Sequence, residues 1–220
     1  MTRVAVIVPV YRNAATLEPL AARLGAALAG RDWRLRLVVD ACPAGSTDVA
    51  LSLAGPRVEA TLLGVNGGQH AALRRGLADE PDADVWVCMD ADLQDPPEAV
   101  PLLLDRLAVG DVEAVFAGRR GAYESWLRRS SGGLHRRVAA RLTGLPPDAG
   151  AFLALGPLVR SAVLAASGAP SVVLAVGVAR RPVASVPVSR DVRPEGRSAW
   201  TAWARLGQSV RSLGWALRQR

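Results

Sequence analysis

The 220-residue sequence contains no lysine and only two cysteines, two histidines, two phenylalanines and two tyrosines. Cys42 and Cys88 are too few for the disulfide framework of a small secreted domain, and with His70 and His135 they do not form a metal-binding Cys/His cluster. An aromatic content of 5%, with no helix-turn-helix or RNA-binding signature, argues against a nucleic-acid-binding protein. Because every basic residue is an arginine, the positive charge is carried by the side chain that best fits phosphate and carboxylate groups.

Long uncharged runs are also scarce. Residues 161–179 form one that is long enough to span a bilayer, but Gly168 and Pro170 interrupt it. We therefore predict a helix, a turn and a buried strand, SVVLAVGVA, and no transmembrane helix. The N-terminal MTRVAVIVPVYRN has a short apolar run that breaks at Pro9, which predicts a first strand and not a signal peptide. A cytoplasmic protein is expected.

Charge is distributed unevenly along the chain. Residues 1–118 carry 10 arginines and 16 acidic residues, a net of −6, whereas residues 119–220 carry 17 arginines and 4 acidic residues, a net of +13; together they give +7. This asymmetry indicates an anionic partner for the second half, such as a phosphorylated molecule or an anionic membrane surface.

The hydrophobic pattern predicts an α/β fold. Short β-branched runs at 4–10, 35–40, 57–64, 85–90 and 112–118 alternate with helical segments near 14–29, 46–54, 69–79 and 97–109. This alternation is typical of a Rossmann-like, mostly parallel sheet with helices on both faces, in which ligands bind beyond the carboxyl ends of the strands. We then expect a helix at about 124–143, a Gly/Pro stretch, two strands near 172–190 and a final helix from about 198. Residues 1–196 would form one domain.

Residues 197–220 are predicted to form an amphipathic C-terminal helix. Its apolar residues recur at intervals of three and four, as Trp203, Leu206, Val210, Leu213 and Leu217. Such a helix either lies in a membrane interface, making the protein peripheral at the cytoplasmic face, or docks on the protein's own core or on a second subunit.

The segment MDADLQDPPE follows a predicted strand and precedes a helix that Pro96 and Pro97 help to start. Asp90, Asp92 and Gln94 offer the oxygen ligands that Mg²⁺ or Mn²⁺ prefers. A solvated acidic loop or a helix cap would have a similar sequence. The apolar and proline flanks, and the other polar strand ends expected nearby, favour a metal site.

Several segments together resemble a known family. VIVPVYRNAATL, VVDACPAGSTD, GVNGGQHAALRRGL, VCMDADLQDPPEAVPLL, AGRR and LTGLPPDAGAF, within about residues 4–156, resemble the family-two glycosyltransferases of GT-A fold. The similarity is to the dolichol-phosphate-mannose-synthase-like, or polyprenyl-phosphate glycosyltransferase, group. SRDVRPEGRSAW is similar to the Arg-x-x-Gly-x-Ser-x-aromatic element of that family.

The resemblance implies roles for individual residues. It makes Asp90, Asp92 and Gln94 the metal ligands, and it assigns contacts with the nucleotide-sugar donor to the following residues: Pro9, Tyr11, Asn13, Asp40, Gln69, Asp90, Arg119, Arg129, Arg193 and Ser198. Within this set Asp40 would contact base or ribose, Arg119 and Arg129 would contact phosphate, and Arg193 and Ser198 would lie in a loop that closes over the donor. Asp92 and Arg119 would act in catalysis, and Asp148 would join them if the acceptor needs a base.

The implied activity is inverting, metal-dependent transfer of a sugar from a nucleotide-diphosphate sugar to polyprenyl phosphate. An ionised phosphate acceptor needs no general base, since its second pKa is about 6. The alternative is a hydroxyl or amine acceptor on a polysaccharide or secondary metabolite. A hydroxyl would need a base, for which Asp148 is the nearby acid. Relatives often have two acids at the end of the second strand, where this sequence has Val39 before Asp40. Several relatives have Asp at the position of Ala151 and Arg at that of Leu153, and many append a transmembrane pair that this sequence lacks. These departures bear on the base, ribose and acceptor sites.

Overall fold

The computed structural model describes residues 1–43, 45–120, 144–190 and 215, without the side chains of residues 119 and 120. Its strands are β1 (Arg3–Val10), β2 (Asp32–Asp40), β3 (Val58–Leu63), β4 (Val85–Cys88), β5 (Ala114–Arg120), β6 (Leu153–Leu155) and β7 (Val183–Ser189). Its α-helices are α1 (Ala14–Ala27), α2 (Ser46–Ser52), α3 (Gln69–Asp79), α4 (Val100–Ala108), α5 (Pro157–Ala165) and α6 (Val172–Val178), and a 3₁₀ turn, Pro97–Ala99, precedes α4.

The described strands form one sheet in the order β3-β2-β1-β4-β6-β5-β7. β1 pairs in parallel with β2 and β4, β2 with β3, and β5 with β7, whereas β6 runs antiparallel between β4 and β5. The mostly parallel sheet is therefore confirmed. Its single antiparallel strand among the described residues leaves the carboxyl ends of β1, β2, β4 and β5 at the same edge.

Both faces of the sheet are covered by helices, as predicted. Successive strand residues point to opposite faces, so Val4, Val6 and Val8 of β1 enter one apolar core while Ala5 and Ile7 enter the other. The first core also contains the buried faces of α1 and α4, and the second contains those of α3, α5 and α6. Burial on both faces explains why β1 and β4 have continuous apolar runs without polar alternation.

The predicted buried strand at 171–179 is wrong, because residues 172–178 form helix α6. The side chain of Ser171 accepts a hydrogen bond from the backbone N–H of Leu174 at 3.1 Å and so caps the first turn. The helix then packs into the second core beside α3 and α5. A β-branched run of this length suits a buried strand or a buried helix, and the cap with the packing decides in favour of the helix.

Strand β6 was not predicted, since its three residues are too few to show a period. Of the two strands expected near 172–190, only β7 is present. The other predicted strands, and the helices from α1 to α4, are confirmed with ends shifted by a few residues.

The helix predicted at about 124–143 and nearly all of the C-terminal helix lie outside the described residues. Trp215 is the exception: it is 7% exposed and packs with Leu174 of α6. It is not part of the predicted apolar stripe, whose five residues all lie in the undescribed part. None of the helices within the described ranges is long and apolar enough to cross a membrane.

Helix α3 approaches the sheet most closely at Gly76. A methyl group at this position would overlap the side chains of Ile7 on β1 and Val38 on β2. The hydrogen atom of glycine therefore lets α3 lie directly on the two strands that end at the predicted site.

We expect Gly76→Ala to lower the free energy of unfolding by about 1 to 3 kcal/mol, because the added methyl group overpacks a rigid core. Gly25→Ala is the matched control, since a methyl group in α1 would meet only Trp33 at an ordinary 3.8 Å. The control should be neutral or stabilising by up to about 1 kcal/mol through helix propensity. Urea titration of both variants measures the difference, and equal effects at the two positions would contradict the close contact.

Candidate active site

Polar side chains from several strand ends meet at the carboxyl edge of the sheet. Val10 lies opposite Val39 and Ile7 lies opposite Cys88, so β1, β2 and β4 end close together. The predicted residues that follow these strands therefore surround one region, as expected for a sheet of this class.

The loop after β1 is held by polar contacts. The backbone N–H of Tyr11 donates to the side-chain oxygen of Asn13 at 3.1 Å, and the backbone N–H of Asn13 donates to the Ser46 hydroxyl of α2 at 2.9 Å. Thr16, in the first turn of α1, donates its hydroxyl proton to the carbonyl oxygen of Ala91 at 2.6 Å, which ties the start of this helix to the acidic turn after β4. Pro9 is half-buried and the Tyr11 side chain is exposed. Their predicted contact with the nucleotide stays a prediction.

Asp40 is buried at the end of β2 and anchors the glycine loop before α3. Its two carboxylate oxygens accept hydrogen bonds from the backbone N–H groups of Gly67 and Gly68, each at 2.7 Å. The side-chain amide of Asn66 donates to the Asp40 carbonyl oxygen at 3.2 Å. These bonds give Asp40 a structural task that the sequence did not reveal. Contact with base or ribose remains a prediction.

The anchored loop places Gln69, the first residue of α3, against the acidic turn. The Gln69 side-chain amide donates a hydrogen bond to one carboxylate oxygen of Asp90. Asp90 is thereby held from the α3 side, and the predicted assignment of both residues to one site is consistent with this contact.

The turn at residues 90–95 carries the predicted metal ligands. Asp92 accepts a hydrogen bond from the backbone N–H of Gln94 at 3.1 Å, and Leu93 between them has a positive φ of 59°. This tight conformation keeps Asp90, Asp92 and Gln94 on one short turn. Asp95, which follows, is 3% exposed.

Arg190, directly after β7, reaches this turn. Its Nε donates to one oxygen of Asp95 at 2.6 Å, and its Nη2 lies 4.0 Å from an oxygen of Asp90. Burial lowers the pKa of Arg190, but the hydrogen bond and charge of Asp95, with the charges of Asp90 and Asp92, outweigh that effect and raise it. A permanent positive charge thus lies beside three carboxylates.

The oxygen donors fit a hard divalent cation. No group of three or more His, Cys, Asp and Glu side chains placed to hold a metal occurs within the described ranges. The ligand set of two carboxylates and one amide oxygen stays a prediction. Mg²⁺ usually takes one or two carboxylates from the protein and completes its shell with water and substrate phosphate. The second oxygen of Asp95 is buried without a hydrogen-bond partner, so this turn contains an unsatisfied buried acceptor.

Asp148 lies on the β5 and β7 part of the same edge. Its carboxylate accepts a hydrogen bond from the Ser185 hydroxyl at 3.0 Å and covers Gly118, where any side chain would overlap it. The structure therefore gives Asp148 a fixed position, while its role as a base remains a prediction. The backbone of Arg119 lies in β5 opposite Val188, also towards this edge. The predicted residues Arg129, Arg193 and Ser198 lie outside the described part of the chain.

Two titratable groups near the site are kept neutral. Burial, together with the charge of Asp90, raises the pKa of the Cys88 thiol to about 12, so this cysteine is not a nucleophile at neutral pH. Burial lowers the pKa of His70 to about 4. The neutral ring can then accept a hydrogen bond from the backbone N–H of Val172 through Nδ1 at 3.5 Å, which joins the start of α3 to the start of α6.

Sequence reasoning missed Asp95 and Arg190. Both belong to segments that it singled out, DLQDPP and SRDVRPEG, but nothing in their spacing shows that the two residues pair across 95 positions.

The family model for glycosyl transferase family 2 matches residues 5–152, about two thirds of the chain. The chain belongs to this family. Among curated relatives, undecaprenyl-phosphate 4-deoxy-4-formamido-L-arabinose transferase of Aeromonas hydrophila is 33% identical over 147 residues, covering 64% of this chain and 44% of the relative. The corresponding protein of an Enterobacter strain is 34% identical over 151 residues with the same coverage. The chain thus spans less than half the length of these family members.

Solved structures with a similar fold can be superposed on nearly the whole chain. Glucosyl-3-phosphoglycerate synthase from Mycobacterium tuberculosis, in complex with Mn²⁺, uridine diphosphate and phosphoglyceric acid, has a TM-score of 0.73 at 19% identity, covering 99% of this chain and 78% of that one. Mannosyl-3-phosphoglycerate synthase from Rubrobacter xylanophilus has a TM-score of 0.68 at 16% identity, covering 100% and 74%. At these identities the likeness shows the fold, and it confirms the predicted GT-A architecture.

The buried His70 predicts a pH dependence of stability. Its pKa lies below the ordinary 6.5 in the folded protein, so the unfolded chain binds more protons between about pH 6.5 and pH 4, and stability falls as the pH decreases through that range. The loss from this group at pH 5 should be about 2 kcal/mol. Denaturant titrations of the wild type and of His70→Gln at pH 7 and pH 5 test this. The variant should show a smaller fall, and an equal fall would contradict the neutral buried histidine.

Proposed function

We propose that this chain is an inverting hexosyltransferase that moves a sugar from a nucleotide-diphosphate sugar to a polyprenyl phosphate, with Mg²⁺ or Mn²⁺ as cofactor. The observation that carries the proposal is the convergence of Asp90, Asp92 and Gln94 with Gln69 and Arg190 at the carboxyl edge of a GT-A sheet. Family membership and the acceptor in the printed names of the curated relatives support it. Mn²⁺ and uridine diphosphate in structures of the same fold support the metal and the donor.

The chemistry of the step follows from charge. Breaking the bond between sugar and diphosphate leaves negative charge on the departing phosphate, and a divalent ion at Asp90, Asp92 and Gln94 would stabilise that charge. The acceptor attacks the anomeric carbon from the opposite face, which inverts its configuration. Arg119 and Arg129 are the arginines proposed to contact phosphate groups, where a guanidinium can form paired hydrogen bonds.

The acceptor proposal rests on charge as well. The arginine-rich second half, with 17 arginines and 4 acidic residues in 119–220, suits a phosphate acceptor at an anionic bilayer. We place the protein in the cytoplasm, peripheral at the membrane face, with residues 197–220 as the contact. The packing of Trp215 on Leu174 favours the alternative that part of this segment docks on the core.

Asp92→Asn should reduce turnover at saturating donor by at least about 100-fold, because it removes charge from the proposed metal site where transition-state charge is stabilised. Gln94→Ala should have a milder effect. Asp105→Asn is the matched control: it neutralises a carboxylate on the surface of α4 that pairs with Arg31 and is 66% exposed. Release of nucleoside diphosphate measures turnover, and thermal melting checks the fold. Unchanged turnover of the Asp92 variant would refute the site.

The two acceptor classes differ in what they need from Asp148. The amide oxygen of an asparagine at this position would still accept the hydrogen bond from Ser185, so Asp148→Asn removes the basic group and keeps the local structure. With a phosphate acceptor the rate should fall less than about tenfold, whereas loss of a general base costs about 100- to 10,000-fold. Single-turnover rates with polyprenyl phosphate measure this. A loss in the larger range at unchanged donor affinity would favour a hydroxyl acceptor instead.

A further inference from the structure

Arg190 is fixed against the acidic turn by its pairing with Asp95. The two side chains are 17% and 4% exposed, and their 2.6 Å contact joins the end of β7 to the turn after β4. The same guanidinium directs Nη2 towards Asp90 at 4.0 Å. Because arginine does not lose its proton in proteins, this charge is present at every physiological pH.

The position of this charge opposes a cation. Arg190 lies 2.6 Å from Asp95 and 4.0 Å from Asp90, so its positive charge offsets part of the negative charge of the acidic turn. A divalent ion bound to Asp90 and Asp92 would lie within a few ångströms of the guanidinium and be repelled by it. A diphosphate at the same place would be attracted by both the ion and the guanidinium.

We infer that Arg190 makes metal binding depend on the donor, by weakening the site for the ion alone and strengthening it for the ion with a diphosphate. This rests on the proposed metal and donor site and adds a residue that sets its order of occupancy. Coupling of this kind is reciprocal, so the metal must strengthen binding of the diphosphate by the same factor.

The expected magnitude follows from Coulomb's law. Charges of +1 and +2 separated by about 6 Å repel enough to weaken binding about tenfold even at the dielectric constant of water. Removing the charge of Arg190 should therefore tighten binding of the ion alone by about tenfold. A residue that only supported the turn would have the opposite effect, since its loss would disorder the ligands.

The test is the dissociation constant of Mn²⁺ alone, measured from the electron paramagnetic resonance signal of free Mn²⁺ at fixed ionic strength. Arg190→Gln should lower this constant about tenfold. Arg190→Lys keeps the charge and should stay within about threefold of the wild type. Arg106→Gln is the matched control. It removes a positive charge from a surface ion pair between Arg106, in the last turn of α4, and Asp111, and it should leave the dissociation constant of Mn²⁺ unchanged.

A second pair of variants covers the case in which Arg190→Gln leaves Asp95 buried and unpaired and does not fold. Asp95→Asn should weaken Mn²⁺ binding, and Arg190→Gln with Asp95→Asn should bind Mn²⁺ about tenfold more tightly than Asp95→Asn. Uridine diphosphate should tighten Mn²⁺ binding by a smaller factor in variants without Arg190 than in the wild type. This comparison is corrected for Mn²⁺ that the nucleotide binds in solution.

Unchanged or weaker Mn²⁺ binding on loss of Arg190, in either background, would overturn the inference while leaving the proposed glycosyltransferase site intact. No Mn²⁺ binding by the wild type, with or without uridine diphosphate, would instead refute the proposed metal site itself, and the inference with it.

Discussion

The repulsion between three carboxylates on one short turn is the constraint on which the site depends. Asp90, Asp92 and Asp95 lie within six residues, in a partly buried place where like charges are costly. Gln69 donates to the first, a backbone N–H donates to the second, and Arg190 pairs with the third. These contacts come from α3, from the turn itself and from the residue directly after β7, so the acidic turn joins elements that are far apart in the sequence.

The fold supplies the rigid frame for this turn. Parallel pairing of β1 with β2 and β4 brings their carboxyl ends to one edge, and Asp40 uses both carboxylate oxygens to hold the loop that positions Gln69. Gly76 lets α3, the helix that begins at Gln69, lie in close contact with Ile7 of β1 and Val38 of β2. A site of this kind needs such precision, because oriented dipoles and charges stabilise a transition state only where they are already in place.

Most of the fold was predictable from local sequence, and the network of the site was not. The strands of the first half are β-branched runs with clear helical segments between them, and the DADLQ and GGQH motifs placed Asp90 and Gln69 at one site. Residues 172–178 were misassigned because a buried helix and a buried strand have the same apolar composition. The pair of Asp95 with Arg190 depends on how β7 lies beside β5, a tertiary contact that residue spacing does not encode.

Anomalous diffraction from crystals grown with Mn²⁺ and uridine diphosphate tests the central claim, that the turn after β4 is the metal and diphosphate site of a family-two glycosyltransferase. The account predicts one strong manganese peak in contact with side-chain oxygens of the turn, with the diphosphate of the nucleotide on its other side and Arg190 within reach of a phosphate oxygen. A manganese peak elsewhere on the protein, or bound nucleotide with no peak at Asp90 and Asp92, would contradict it.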